Sequence, residues 1–138
     1  MADGLSFELV SPEKLLLSRE VEMVVVPGAE GDFGVLPMHA PFISTVRPGI
    51  IVVFEGGKPV ERIFVSGGIA EVTPERCTVL AEEAVPVDAL DRAAAEQQIA
   101  DARDDLGDAK SDQERGKAET QIAVGEAKLA AIATGAPY

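Results

Sequence analysis

The stretch Cys77–Glu96, "CTVLAEEAVPVDALDRAAAE", changes character part-way along. Its opening, "CTVLAEE" (77–83), has the β-branched and alternating residues of a short strand. Beyond Pro86 it turns to alanine and acidic helix formers. The same contrast runs outward in both directions. Residues 1–86 hold 14 valines and 8 of the 9 prolines, whereas residues 87–138 hold 2 valines, 14 alanines and a single proline, Pro137. Valine-rich, proline-punctuated sequence builds strands and turns, and alanine-rich sequence without internal proline builds helix. The expectation is an α+β chain, with an N-terminal antiparallel β-sandwich over residues 1–86 and a C-terminal two-helix antiparallel hairpin over residues 87–138.

Within the first part, "LSFELV" (5–10) alternates and puts Leu5, Phe7 and Leu9 on one face. "EVEMVVV" (20–26) is expected to place Val21, Met23 and Val25 together. Further strand-like runs are "PFISTV" (41–46), "IIVVF" (50–54), "VERIFV" (60–65) and "IAEVT" (69–73). Turn residues separate them, at Glu55-Gly56-Gly57-Lys58, Ser66-Gly67-Gly68 and Thr73-Pro74-Glu75-Arg76. Short strands at close spacing, with no helical period between them, indicate a sandwich or barrel.

In the second part, Asp88 is expected to cap a first helix, with Asp91 three residues on. Its thin apolar stripe is Ala95, Ile99, Ala102 and Leu106, and Gly107 is expected to end or loosen it. Ser111 and Glu114 predict a capping box for a second helix. That stripe runs Ala118, Ile122, Gly125, Leu129 and Ile132, with Gly135 and Pro137 as the stop.

The net charge of −12 argues against nucleic acid or anionic lipid as a direct partner, because both require a basic face. Cys77 is the single cysteine, so no internal disulfide can form and a reducing compartment is expected. No run approaches the roughly 18 apolar residues of a membrane span, so no direct membrane insertion is expected. No basic-plus-apolar signal segment is read at the N-terminus.

The segment most suggestive of chemistry is "GAEGDFG" (28–34). Its glycines do not follow a dinucleotide or Walker pattern, and Glu30 and Asp32 would repel a phosphate. A flexible acidic loop suits a basic partner, or is a solvated turn. His39, the only histidine, lies beside Pro37 and Pro41 and reads more readily as a loop or interface residue than as a catalyst. A metal site from Glu30, Asp32 and His39 matches no recognised ligand spacing. Ser66 does not sit in a nucleophile motif, and Cys77 reads as a small buried hydrophobe. No active site emerges from the residues.

Taken together, "GAEGDFGVLPMHAP" (28–41), "RPGIIVV" (47–53), "VSGGIAEVTPERCTVLAEEA" (65–84) and "ALDRAAAE" (89–96) resemble the epsilon subunit of F-type ATP synthases, over nearly the whole chain and in the family's order. The resemblance implies a non-catalytic rotor subunit. Its sandwich would bind the gamma subunit and stand on the ring of c subunits, coupling proton-driven ring rotation through gamma to ATP synthesis in the catalytic head. It also implies that Glu30, Gly31 and Asp32 contact the c-ring, with the carboxylates meeting basic residues there, and that His39 lies at the gamma contact. With the high alanine and glycine content and no presequence, a peripheral place on the cytoplasmic face of a bacterial inner membrane is expected.

In this family the hairpin can reach the catalytic alpha and beta subunits and obstruct rotation, and in some members it binds ATP. Leu90 and Asp91 fit the family's nucleotide motif, but the arginine position is Ala94, with Arg92 in a variable slot. In the second helix Val124 and Ala130 stand where relatives often carry basic residues, leaving Lys128. This implies a vestigial nucleotide site of Leu90, Asp91 and Lys128 with few cations for a phosphate, and no cofactor is expected. Residues 87–138 carry 6 Lys/Arg against 11 Asp/Glu, a net charge of −5, which opposes approach to acidic segments of the catalytic subunits. The hairpin is therefore expected to inhibit weakly or not at all. Two alternatives stay open: an ATP-sensing switch within the same complex, and a small acidic metal-binding enzyme built on His39, Glu30 and Asp32.

Overall fold

The computed structural model describes residues 4–134, which divide into two compact units, the first ending at Pro86 and the second starting at Val87. The first is all β: β1 (Leu5–Val10), β2 (Leu15–Val21), β3 (Met23–Gly28), β4 (Gly31–Val35), β5 (Phe42–Val46), β6 (Gly49–Glu55), β7 (Lys58–Val65), β8 (Gly68–Val72), β9 (Arg76–Ala81) and β10 (Ala84–Pro86). The hydrogen-bonded order is β10-β7-β6-β3-β5-β8-β9-β1-β2, with β4 added on β3. β1 and β9 run parallel, and the other pairs are antiparallel.

This sheet folds over itself into a sandwich. β3 pairs with β6 along Met23–Val25 but with β5 only at Gly28↔Val46, so the sheet turns a corner there. Residues from near both ends of the order, Leu5, Phe7 and Leu9 of β1 and Ile63 and Val65 of β7, consequently share one apolar core with Val24, Val26, Ile51, Val53, Val72 and Val79. Burying such side chains stabilises by about 1.5–3 kcal/mol each before ordering costs. At the sandwich edge, Arg19 of β2 reaches Glu61 of β7 at 2.7 Å and Glu55 of β6 at 3.5 Å.

Three sequence expectations for this unit change. The run 20–26 is not one strand: β2 ends at Val21 and β3 begins at Met23. Glu22 separates them, its amide donating to the Phe54 carbonyl, so the alternation slips by one. Val21, Val24 and Val26 enter the core cluster instead of Val21, Met23 and Val25. Most of β2 has no legible pattern, because Leu15 and Leu16 are exposed on this edge strand. Finally, "GDFGV", expected as loop, is strand β4.

The second unit is a 3-10 turn (Val87–Ala89), α1 (Arg92–Asp108) and α2 (Asp112–Thr134). Asp91, not Asp88, caps α1: its backbone is extended and its carboxylate accepts the Ala93 N–H at 3.0 Å. Asp88 is used up in the 3-10 turn, which closes through Leu90 N–H to the Val87 carbonyl. Gly107 does not stop α1; it lies inside the helix, which runs to Asp108 before Ala109 turns extended. Ser111 does cap α2, accepting the Glu114 N–H at 3.1 Å, while the Glu114 carboxylate reaches back to the Lys110 amide at 2.7 Å. Ala95, Ile99 and Ala102 of α1 are buried, as are Ala118, Val124, Gly125 and Ala131 of α2. Val124 and Ala131 extend the predicted stripe, whereas Ile122, Leu129 and Ile132 are half-buried. Gly135 and Pro137, the expected stop, lie outside the described residues. Among the described residues, no helix is long and apolar enough to cross a membrane.

Candidate functional site

The acidic segment is a tight hairpin rather than a flexible loop. Gly28 pairs with Gly31 across a two-residue turn, Ala29–Glu30, and Pro27 pairs with Asp32. Glycine is required at both ends of this turn. Gly31 sits at φ +137°, and a Cβ on Gly28 would lie 2.7 Å from the Gly31 carbonyl oxygen. β5 stitches the base: Ala29 N–H donates to the Thr45 carbonyl and Arg47 N–H to the Pro27 carbonyl, both at 2.9 Å.

The two carboxylates of the hairpin differ. Asp32 accepts from the Arg47 guanidinium at 2.6 Å, and a second guanidinium nitrogen donates to the Gly28 carbonyl. Glu30 is exposed at the turn, and among the described residues its carboxylate joins no hydrogen bond or ion pair. Arg47 is not among the site residues expected from the sequence. Its one legible signal is that no other Lys or Arg occurs from residue 20 to 57, a stretch carrying Glu20, Glu22, Glu30, Asp32 and Glu55.

Aromatic contacts connect this hairpin to His39. Phe33 of β4 meets Phe42 of β5 edge-on, centroids 5.1 Å apart, and Phe42 meets the His39 ring at 5.2 Å. His39 is half-buried, and its Nδ1 donates to the Ala40 carbonyl at 2.8 Å. Its amide donates to the Leu36 carbonyl. Next to it, Met38 holds φ +69°, unusual for a residue with a side chain, pinned by its amide on the Pro74 carbonyl at 2.7 Å. Its side chain is 77% exposed.

The outer face of β5, β8, β9 and β1 adds an apolar surface. Thr45, Ile69, Leu80 and Val10 are direct neighbours across four strands, with Ile43 two residues from Thr45 on the same face. Ile43 is 71% exposed, Ile69 51% and Leu80 46%. Beside them Ile43 pairs with Glu71, and the Glu8 carboxylate accepts from Thr78 Oγ1 at 3.3 Å. Adjacent exposed Ile and Leu make this sheet face locally apolar.

Other expected site residues sit on the helical unit. Asp91 is the α1 cap, and Leu90 lies half-buried in the turn before it. Lys128 donates to Gln98 Oε1 at 2.9 Å, joining α2 to α1. Arg92, Ala94 and Ala130 are exposed, and Val124 is buried. The alternative metal set of Glu30, Asp32 and His39 does not converge: among the described residues no three His, Cys, Asp or Glu side chains gather as ligands. Cys77 is fully buried, and burial pushes its thiol up to about 12, so it is no nucleophile. Ser66 instead ties the β7–β8 connection to the β9–β10 connection, its hydroxyl accepting the Glu83 N–H at 3.0 Å.

With this geometry in view, residues 4–87 match the family model of the β-sandwich domain of the ATP synthase Delta/Epsilon chain, and residues 91–137 match that of the C-terminal domain of the ATP synthase epsilon chain. The ATP synthase epsilon chain of Rhodospirillum centenum is 61% identical, over 97% of this chain and 95% of that protein. That of Paramagnetospirillum magneticum is 56% identical, over 96% of this chain and all (100%) of that protein. Among solved structures, a chain of the Euglena gracilis mitochondrial ATP synthase superposes with a TM-score of 0.76 at 25% identity, covering 96% of this chain and 83% of that one. A chain of the Tetrahymena thermophila mitochondrial ATP synthase central stalk and c-ring shares the fold, with a TM-score of 0.70 at 12% identity over 94% and 96% of the two chains. Sandwich, helices and relatives agree over nearly the whole chain: it belongs to the ATP synthase epsilon chain family.

Proposed function

We propose that this protein is a non-catalytic subunit of the central stalk of an F-type ATP synthase, coupling proton-driven rotation of the c-ring through gamma to ATP synthesis. The observation that carries the reading is a stiff sandwich presenting two unlike surfaces, the acidic β3–β4 turn and the apolar row through Ile69 and Leu80. The Glu30 turn suits the polar, basic loops of a ring, and the apolar row suits gamma, as do His39 and Met38. A close-packed sandwich transmits torque between them without yielding. Family membership supports a place in the complex, peripheral on the cytoplasmic face of a bacterial inner membrane. The net charge of −5 over residues 87–138 supports weak inhibition by the hairpin, and Asp91's engagement as a helix cap supports a role independent of bound ATP.

The test is binding of the purified full-length protein to gamma. Ile69→Thr with Leu80→Thr keeps strand-forming side chains while removing apolar area, so affinity for gamma falls by about tenfold or more at an unchanged melting temperature. Unaltered affinity contradicts this placement of gamma.

A further inference from the structure

Arg47 touches the β3–β4 hairpin at three points: its backbone amide on the Pro27 carbonyl, and its guanidinium on both the Gly28 carbonyl and the Asp32 carboxylate. The first two contacts lie on one arm of the hairpin and the third on the other, so one side chain straddles the turn that carries Glu30. Behind it, the backbone is braced by Gly49, where a Cβ would come within 2.9 Å of Pro27 Cβ. A guanidinium that donates to two acceptors at a fixed angle restrains both, which an ammonium cannot do as well. The same contact neutralises Asp32, leaving Glu30 as the carboxylate the turn offers outward.

We infer that Arg47 is the positioning residue of this hairpin: it sets the attitude of the turn and directs recognition of a cationic partner loop through Glu30 rather than Asp32. This deepens the ring contact proposed above and rests on it. Two carboxylates on a free loop would attract cations from many directions. One carboxylate on a clamped two-residue turn defines a single approach, which a rotating joint under load requires.

The experiment restores full-length variants to host membranes stripped of this protein. It measures how much catalytic sector stays bound as salt rises, with gamma binding followed separately. Arg47→Met lowers the salt concentration of release and reduces retention by about tenfold, the scale of losing charge-assisted hydrogen bonds, while gamma binding is unchanged. Arg47→Lys recovers part of the loss. Asp32→Asn, whose amide oxygen still accepts from Arg47, stays near the original, whereas Glu30→Gln falls. If Glu30→Gln falls but Arg47→Met holds, the positioning role is wrong and the ring contact stands. If Asp32→Asn falls as far as Glu30→Gln, Asp32 itself meets the partner and the inference is overturned. If Glu30→Gln changes nothing, the ring contact fails and the inference with it. Should Arg47→Met not fold, Arg47→Lys decides: full retention with gamma binding intact overturns the role of the guanidinium fork.

Discussion

Gly125 of α2 lies so close to Ile99 of α1 that a Cβ at position 125 would stand 2.5 Å from Ile99 Cγ1 and 3.4 Å from the Ala95 carbonyl oxygen. The two helices thus meet through a small residue opposite a β-branched one. Ile99 has little rotamer freedom in a helix, so it cannot swing aside cheaply.

Gly125→Ala is accordingly destabilising. A helix interior gains about 1 kcal/mol when glycine becomes alanine, but overpacking at a stiff contact costs about 1–3 kcal/mol. The net loss is about 1 kcal/mol, read from urea unfolding followed by helical circular dichroism. Gly116→Ala, on the same helix, whose added Cβ meets nothing within 4 Å beyond its chain neighbours and the local helix backbone, has the opposite sign and stabilises. Equal signs for the two variants contradict the close approach.

The start of α1 separates two aspartates that look alike in sequence. Asp91→Ala removes the cap and costs about 1 kcal/mol, whereas Asp88→Ala, in the preceding 3-10 turn, changes helix stability by much less. Amide hydrogen exchange at Ala93 reports the difference directly, since that N–H loses its acceptor only in the first variant.

Cys77 couples folding to alkaline pH. Burial raises its thiol from 9.0 to about 12, so between those values the unfolded state releases a proton that the folded state keeps. The stabilisation is complete below the unfolded value and is lost as pH rises towards the folded one, at up to ~1.4 kcal/mol per pH unit. Thiol reagents therefore label Cys77 at mildly alkaline pH only as fast as the sandwich opens. Cys77→Ala removes this contribution to the alkaline slope. Rapid labelling of the native protein contradicts the burial.

Ending the protein after Pro86 tests the hairpin. With 11 carboxylates against 6 cations, residues 87–138 are a poor match for acidic segments of catalytic subunits, so ATP hydrolysis by membranes carrying residues 1–86 barely rises and ATP synthesis persists. A clear rise in hydrolysis identifies the hairpin as a brake despite its charge.

The sandwich was legible where a strand buries one face, as Leu5, Phe7 and Leu9 do. It was illegible at Glu22, because Val24, Val25 and Val26 suit either register and only pairing with Phe54 and Val53 decides. β4 was hidden for another reason: its two glycines and Asp32 have little strand propensity, and the ladder with β3 imposes the conformation. At the site, Glu30 could be picked out as an exposed loop acid. The Asp32–Arg47 pair could not, since it joins residues 15 apart that meet only after β5 docks beside the hairpin. The choice of Asp91 over Asp88 likewise depended on a 3-10 turn with no signature beyond a proline and a valine.

The role proposed for this protein is to couple ring rotation to catalysis without catalysing anything itself. Its most direct test is proton-driven ATP synthesis in inverted host membranes stripped of the protein, before and after adding back the purified full-length form. The account predicts that synthesis is lost on stripping and returns on restoration, while the protein alone hydrolyses no ATP. Synthesis that persists at full rate in the stripped membranes would contradict it.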